Sequence, residues 1–263
     1  MDAARRSTLA AGLYGLATAG TASAAVTAGR PTTDRLMLSA NALQQLAHAN
    51  LIRNVVNRYC LYESLGRIPD MLNSFALSLP DVQIDVGFGL YYGPDGARKF
   101  AAVTGMLIGD TSTGVFRKGA MNVFANTTDI IEVAEDLKTA KGLWITSAAM
   151  TNGTPSEGFN SRYGYFRRAA DFVNLNDTWK IWHYMTYWLI NAPVGRSWIE
   201  ADVVEDNLKT RYDWIPENLK PDQPSNIGIG PLWSWRPDRP VMQVQVPIPY
   251  RTFAETFSYG AYR

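Results

Sequence analysis

Tyr59 and Glu63 lie four residues apart in a segment, residues 39–65, whose apolar side chains recur at helical spacing. Residues four apart share one face of a helix, so this phenol and this carboxyl can point into a protein interior together. Side by side, they could move protons or hold a polar small molecule. The alternative is that Glu63 pairs with Arg67, one turn further on, at the surface of the helix.

His183 is one of two histidines and lies in residues 179–190, an apolar segment that reads as a strand. Its position has the same parity as Ile181 and Met185, so the imidazole faces inward if those two do. An imidazole changes charge near neutral pH and therefore suits proton transfer. A core histidine held by one hydrogen bond is an equally good interpretation of this position.

The remaining pattern predicts the elements that must position these groups. Three helices are expected over residues 39–65, 68–76 and 94–108, with five strands over 81–86, 120–133, 143–150, 163–173 and 179–190. Short polar turns join the last four strands, which favours an antiparallel meander with a rim loop at 152–160. We therefore expect an α+β fold in which the helices pack on one face of a sheet.

Residues 192–263 differ in composition from the rest of the chain. They hold nine of the fourteen prolines and four tryptophans, Trp198, Trp214, Trp233 and Trp235. Proline cannot donate to a sheet ladder, and the segment is too aromatic for a flexible linker. We expect an ordered arm, with one helix near residues 200–212, that packs on its own domain or on a partner subunit.

Composition excludes several classes of function. The 25 basic and 24 acidic residues give a formal net charge of +1, which argues against nucleic acid as a partner. Cys60 is the only cysteine, so no intrachain disulfide can form, and with two histidines we expect no metal. The 8 Trp, 13 Tyr and 10 Phe suit either a pocket for an aromatic ligand or an ordinary core with an oligomer interface.

The first 30 residues are expected to lie outside the fold. Arg5 and Arg6 precede a mildly apolar run, and Ala22-Ser23-Ala24 follows it, which is the order of an export signal. The paired arginines resemble a twin-arginine signal, which would place the protein in the periplasm. If the segment is only a disordered tail, the protein is cytoplasmic. No other segment has the roughly 18–20 apolar residues of a membrane span.

Several local patterns, taken in order, resemble the nuclear transport factor 2-like superfamily, in particular its SnoaL-like polyketide cyclase and dehydratase branch. They are residues 52–59 leading to Gly66, the strand 81–85, Tyr92-Gly93-Pro94-Asp95-Gly96 opening a helix, and Trp179-Lys180-Ile181. The resemblance covers about residues 40–191 and implies a cone of helices capping a curved sheet. It also implies acid and base chemistry without a cofactor, and a homo-oligomer, a dimer or a trimer.

The resemblance also points to positions for site residues. Members often carry an aspartate a few residues after the tyrosine of the first helix and a histidine at the start of the strand that follows the third helix. Here the two places hold Glu63-Ser64 and Arg117-Lys118. An amine in an apolar cavity beside an arginine loses its proton more readily, so Lys118 could act as a base or bind an oxyanion. The alternative is a solvated lysine at the rim.

Related dehydratases place polar substrate contacts where this chain has Asn160, Arg162 and Tyr163. Arg162 would bind a phenolate or a carboxylate, and its alternative role is a salt bridge at the rim. Trp144 is expected in the pocket wall and Tyr92 at the mouth. Asp85, which could also line the mouth, is more simply the partner of an arginine.

Two functions fit these observations. The first is a cofactor-independent lyase that dehydrates a hydroxylated aromatic small molecule, such as a lignin-derived phenolic dimer, or releases formaldehyde from it. Lys118, Tyr59 and His183 are then the catalytic candidates, and Glu63 and Arg162 hold the substrate. The second is a non-catalytic carrier of an aromatic or steroid-like ligand. An isomerase or a cyclase would use the same groups.

Overall fold

A computed structural model describes residues 33–87, 89–110, 115–116, 118–154, 158–208, 215–225, 234–241 and 244–260. Its helices are α1 (Thr33–Ser64), α2 (Ile68–Leu72), α3 (Gly93–Ile108) and α4 (Ala201–Leu208). Its strands are β1 (Gln83–Asp85), β2 (Leu90–Tyr92), β3 (Gly109–Asp110), β4 (Val115–Phe116), β5 (Met121–Val133), β6 (Thr139–Thr154), β7 (Gly158–Leu175) and β8 (Thr178–Pro193). The predicted α+β class is confirmed.

Six strands form one mixed, unclosed sheet in the order β2-β1-β8-β7-β6-β5. Strands β5 to β8 are antiparallel neighbours, so the predicted meander is confirmed, whereas β1 runs parallel to β8. The sequence did not reveal β2, which pairs with β1, or the small β3–β4 pair. The long strands β6 and β7 also take up most of the predicted rim loop, up to Thr154 and again from Gly158.

One side of the sheet, called here the inner side, packs against α1, α2 and α3. Its strand residues include Trp144, Ala170 and Phe172, and they share a buried cluster with Ile52 and Val56 of α1. The regular alternation of β7 puts its even-numbered residues on this side, because side chains of a strand alternate between faces. The inner side therefore holds the main core and whatever polar groups the helices enclose.

Strand β8 carries two β-bulges that change which residues face the helices. Asp171 pairs with His183 and Phe172 with Ile181, so Trp182 is an extra residue in β8, and Leu189 is another. An extra residue reverses the alternation that follows it. Ile181 belongs to the inner core, whereas Met185 packs on the opposite side of the sheet, here the outer side.

The described residues of the C-terminal arm lie on their own domain. Backbone hydrogen bonds tie Gln223 to Leu90 at the sheet edge and Trp235 to Leu189. Residues 244–260 cover part of the outer side, where Val244 and Tyr259 join a buried cluster formed around Ala169 and Met185. Of the predicted helix over 200–212, the described part is α4, and residues 209–214 lie outside the described ranges.

The predicted export signal also lies outside the described residues, which begin at residue 33. Among the helices that the structure describes, none has the length and apolarity to cross a membrane.

Candidate active site

A buried arginine, Arg168, stands at the centre of a polar cluster on the inner side. Helix α1 presents Cys60 and Glu63, one turn apart, to the two ends of its guanidinium fork. Arg168 Nη1 donates to Cys60 Sγ at 2.8 Å, and Nη2 donates to Glu63 Oε2 at 3.2 Å. The side chains of Arg168 and Glu63 are 4% and 12% exposed, so water screens this ion pair only weakly.

Burial decides the charges in this cluster. It raises the pKa of Glu63 above the ordinary carboxyl value, although the nearby guanidinium of Arg168 opposes that shift. Burial works against the charge of Arg168, but its neighbours Tyr184, Cys60 and Glu63 raise the guanidinium pKa well above its usual value. The site therefore holds a permanent cation beside a carboxyl that takes up a proton more readily than an exposed one.

Two phenols close the inner end of the cluster. The ring centroids of Tyr59 and Tyr184 lie 5.0 Å apart, and each ring lies within 6.0 Å of the Arg168 guanidinium carbon. Burial raises the pKa of both phenols, so both keep their protons. Tyr59 and Glu63 thus share one face of α1, as their spacing predicts.

The cysteine is held in place from the other side. Asn126 of β5 donates from Nδ2 to Cys60 Sγ at 3.1 Å, and its Oδ1 accepts from Thr146 Oγ1 at 2.7 Å. The β5–β6 register shifts directly after Asn126, between it and Asp129. Because Cys60 is fixed by α1 and by Asn126, the hydrogen bond that it accepts fixes one end of the Arg168 fork.

Aromatic rings continue from Arg168 along the inner side. The guanidinium carbon lies 4.6 Å from the Phe124 ring centroid, a cation–π distance. Phe124 is 6.3 Å from Phe166, and Phe166 is 4.4 Å from Trp188, both measured between ring centroids. With buried Met150 beside them, these rings form an apolar wall next to the charged cluster.

A second ionic cluster lies on the outer side. Lys141, Asp171 and His183 are cross-strand neighbours on β6, β7 and β8. Lys141 Nζ donates to Asp171 Oδ1 at 2.6 Å, and His183 Nδ1 lies 2.7 Å from Asp171 Oδ2. Two groups of the arm, Ser258 Oγ and the backbone N–H of Tyr259, donate to the same Oδ2.

The arm encloses this outer cluster in aromatic rings. The Lys141 ammonium lies 4.6 Å from the ring centroids of Phe253 and Phe257 and 5.3 Å from that of Tyr259. Burial lowers the pKa of Lys141, against the attraction of Asp171. Burial alone would raise the pKa of Asp171, but the hydrogen bond from His183 and the charge of Lys141 outweigh it and lower that pKa.

The three predicted catalytic residues do not meet. The expectation that His183 faces inward with Ile181 is wrong, because the bulge at Trp182 turns His183 to the outer side. Lys118 is exposed in the turn before β5. Tyr59 is the one candidate that lies in the inner cluster.

The predicted substrate contacts are also dispersed. Asn160 and Tyr92 are exposed, and Trp144 is packed against Phe172 in the main core. The Tyr163 hydroxyl, on the outer side, donates to the carbonyl of Arg196. Arg162 donates to the side chain and the carbonyl of Asn191.

Glu63 lies where it was expected, but its partner is Arg168. The alternative pairing with Arg67 is wrong, because Arg67 bonds to Asp70. Asp85 is fully buried and accepts from Gly87 N and Ser225 Oγ. Sequence reasoning therefore found one partner of the central ion pair and missed the other.

Arg168 and Cys60 are the functional candidates that the sequence did not reveal. Two adjacent arginines, Arg167 and Arg168, occupy the middle of a predicted strand. Because side chains alternate along a strand, one of the two must face the helices, and this alternation could have indicated a buried arginine. Within the part of the chain that the structure describes, no group of three or more His, Cys, Asp or Glu side chains could hold a metal ion.

No family model and no curated protein matches this chain. Among solved structures, a hexachlorocyclohexane dehydrochlorinase, LinA type 2, is 14% identical over 58% of this chain and 93% of its own, with a TM-score of 0.47. A scytalone dehydratase-like protein of Novosphingobium aromaticivorans is 14% identical over 58% and 96%, with a TM-score of 0.45. A nuclear transport factor 2-like protein of unknown function from Pseudomonas putida is 16% identical over 54% and 86%, with a TM-score of 0.39.

These neighbours are of the kind that the sequence resemblance implies. Their identities and TM-scores are too low to decide the family or the activity of this chain. The function therefore has to rest on the geometry and chemistry of the inner cluster.

Proposed function

We propose that this protein is a cofactor-independent lyase that acts on a hydroxylated aromatic small molecule by acid and base catalysis at Glu63 and Arg168. The observation that carries the proposal is the buried ion pair of these two residues, enclosed between α1 and the aromatic wall. A carboxyl with a raised pKa beside a fixed cation is a general base next to an oxyanion site.

The reaction conserves charge at every step. The Glu63 carboxylate takes a proton from the substrate and becomes neutral, while negative charge develops on a substrate oxygen. Arg168 then exchanges one anionic partner for another, because the oxyanion replaces the carboxylate. A hydroxyl leaves as water with the proton that Glu63 received, and the ion pair forms again. Tyr59 keeps its proton throughout because burial raises its pKa.

An aromatic substrate is favoured by the rings of Phe124, Phe166 and Trp188. They supply apolar area and edges for ring stacking beside the reacting groups. A lignin-derived phenolic dimer is one such molecule, and release of formaldehyde from it would need the same base and the same cation.

The test is to incubate the purified protein, without added cofactor, with a panel of phenolic diols and to follow loss of water or formaldehyde by mass spectrometry. Turnover by the wild type that falls by about 10²-fold or more in Glu63→Gln is the expected result. The matched control is Glu132→Gln, a half-buried carboxyl elsewhere on β5, which should retain activity. Binding of the diols without conversion would instead identify a carrier.

We also propose that the protein is a homo-oligomer. Met121, Val123, Ile145 and Tyr165 share the outer side of β5, β6 and β7 and are 39% to 47% exposed. An exposed apolar sheet face of this kind commonly serves as a subunit interface. Light scattering should show a dimer or a trimer that Tyr165→Glu dissociates, and a wild-type monomer would refute the assignment.

A further inference from the structure

The guanidinium of Arg168 has an unused donor. Both ends of the fork are occupied, by Cys60 and by Glu63, but Nε is buried without a hydrogen-bond partner among the described residues. The residue is 3% exposed, so bulk water does not satisfy this N–H. A buried donor without a partner costs about 1–3 kcal/mol, and it therefore indicates a partner that binds there.

A second buried polar atom lies further along the inner side. Asn122 Oδ1, on β5, has no partner among the described residues, although Asn122 is only 8% exposed. Phe124 and Phe166 stand between the rows of Arg168 and Asn122, and Met150 pairs directly with Asn122. The site thus has a charged donor at one end, an acceptor at the other and aromatic rings between them. This arrangement suits a flat ligand with polar ends.

The charges in the cluster determine how an anion can enter. Arg168 is the cation there, and Glu63 already neutralises it. The groups that face Glu63 are Tyr59 and Cys60 of α1, Tyr184 of β8 and Arg168 of β7, and burial raises the pKa of both phenols and of the thiol. A second anion would be repelled unless the Glu63 carboxylate gains a proton.

We propose that this site binds aromatic ligands through an anionic oxygen, a phenolate or a carboxylate, which accepts from Arg168 Nε while one proton binds to Glu63. The location of the site is shared with the proposed lyase, but the binding requires no turnover. Loss of one property therefore does not imply loss of the other.

The first test uses 4-nitrophenol, because its phenol and phenolate forms have different absorption spectra. We expect the wild-type protein to bind it as phenolate, at least tenfold more tightly than nitrobenzene, which has no acidic oxygen. Benzoate tests the carboxylate alternative. Tighter binding of benzoate than of 4-nitrophenol would identify carboxylates, not phenolates, as the preferred ligands. Binding of 4-nitrophenol as the neutral phenol, with benzoate no tighter than nitrobenzene, would overturn the proposal.

The second test is Glu63→Gln, which keeps the shape of the side chain and removes the competing anion. Above the pKa of the ligand, affinity of the wild type should fall about tenfold per pH unit, because a proton binds with the anion. In Glu63→Gln the affinity should be higher and independent of pH, and Glu132→Gln should follow the wild type. Equal pH dependence in Glu63→Gln and in the wild type would refute the coupling to Glu63.

The third test locates the ligand. Cys60 is the chain's only cysteine, so the rate at which N-ethylmaleimide labels the protein reports on this one position. Bound 4-nitrophenol should slow the labelling several-fold, whereas binding without protection would place the ligand elsewhere and overturn the proposal. A protein that binds the phenolate and protects Cys60 but converts no diol would retain this inference and refute the lyase.

Discussion

Two buried ionic clusters lie on opposite sides of the same strand, β7, three residues apart. On the outer side Asp171 accepts four hydrogen bonds, from Lys141, His183, Ser258 and the Tyr259 backbone. On the inner side Arg168 uses its two terminal nitrogens and leaves Nε without a partner. Burial and charge are common to both, so it is the unused hydrogen-bonding capacity that distinguishes a candidate site from a structural ion pair.

The two clusters also differ in what encloses them. The side chains of Lys141 and Asp171 are fully buried under the arm, with aromatic rings around the ammonium. Glu63 keeps some exposure and lies next to a wall of aromatic side chains. The outer cluster should therefore govern stability, and the inner one ligand binding and catalysis.

The largest effect should come from Asp171→Asn. It leaves the Lys141 ammonium buried without its counter-ion, which costs about 3–5 kcal/mol in the free energy of unfolding. Urea titration followed by tryptophan fluorescence measures this loss, and Asp177→Asn in the exposed β7–β8 turn should change little. A loss below about 1 kcal/mol would contradict the structural role of the outer cluster.

Arg168→Met should cost less, about 2 kcal/mol, because Glu63 can take a proton once its partner is gone. The double variant Arg168→Met with Glu63→Gln should regain most of that stability, because a neutral replacement leaves no buried charge. Neither variant should bind 4-nitrophenol as phenolate. If the double variant bound the phenolate as tightly as the wild type, the inner cluster would not be the ligand site that distinguishes it from the outer cluster.

The pH dependence of stability should separate Glu63 from Asp171. Burial raises the pKa of Glu63 above its ordinary value of 4.5, so its stabilising contribution is present below about pH 4.5 and is lost as pH rises through the folded-state pKa. The stability of the wild type minus that of Glu63→Gln should thus fall with rising pH, by at most about 1.4 kcal/mol per unit. The pKa of Asp171 is lowered, so its contribution is lost only as pH falls below about 4. Urea titrations between pH 3 and 8 test the predictions for Glu63 and for Asp171. If the stability of the wild type minus that of Glu63→Gln rose with pH, the prediction for Glu63 would be wrong.

The smallest effect should follow Tyr259→Phe. The Tyr259 hydroxyl donates to the Gln245 carbonyl at 2.9 Å, and its loss should cost about 1 kcal/mol while the ring over Lys141 remains. Ligand binding at the inner cluster should be unchanged. A change in phenolate affinity would show that the two sides of the sheet are coupled.

Helix geometry is local, and this is why the sequence predicted the positions of Tyr59 and Glu63. Their common face follows from a spacing of four residues, whatever packs against it. The meander was predictable for the same reason, since each strand shows its own alternation between polar turns. The partner of Glu63 was not predictable, because Arg168 is 105 residues further along the chain and its pairing depends on sheet register.

The error at His183 has a different cause. A bulge is set by how two strands pair, and nothing in the composition of residues 179–190 marks Trp182 as the extra residue. The family resemblance indicates a position for Lys118 but not its environment, and the structure places Lys118 in an exposed turn. Both errors thus concern contacts between residues that are far apart in the sequence.

The bulge at Trp182 also determines which residues of β8 face the helices and which face the arm. Before it, odd-numbered residues of β8 such as Ile181 serve the helical core, and after it odd-numbered residues such as Met185 serve the arm. One inserted residue thus moves the odd-numbered side chains of the strand from the helical core to the side that the arm covers. Deleting Trp182 would remove the bulge and leave the downstream side chains on the faces that they occupy now, so a protein engineer who varies β8 has to count residues separately before and after Trp182.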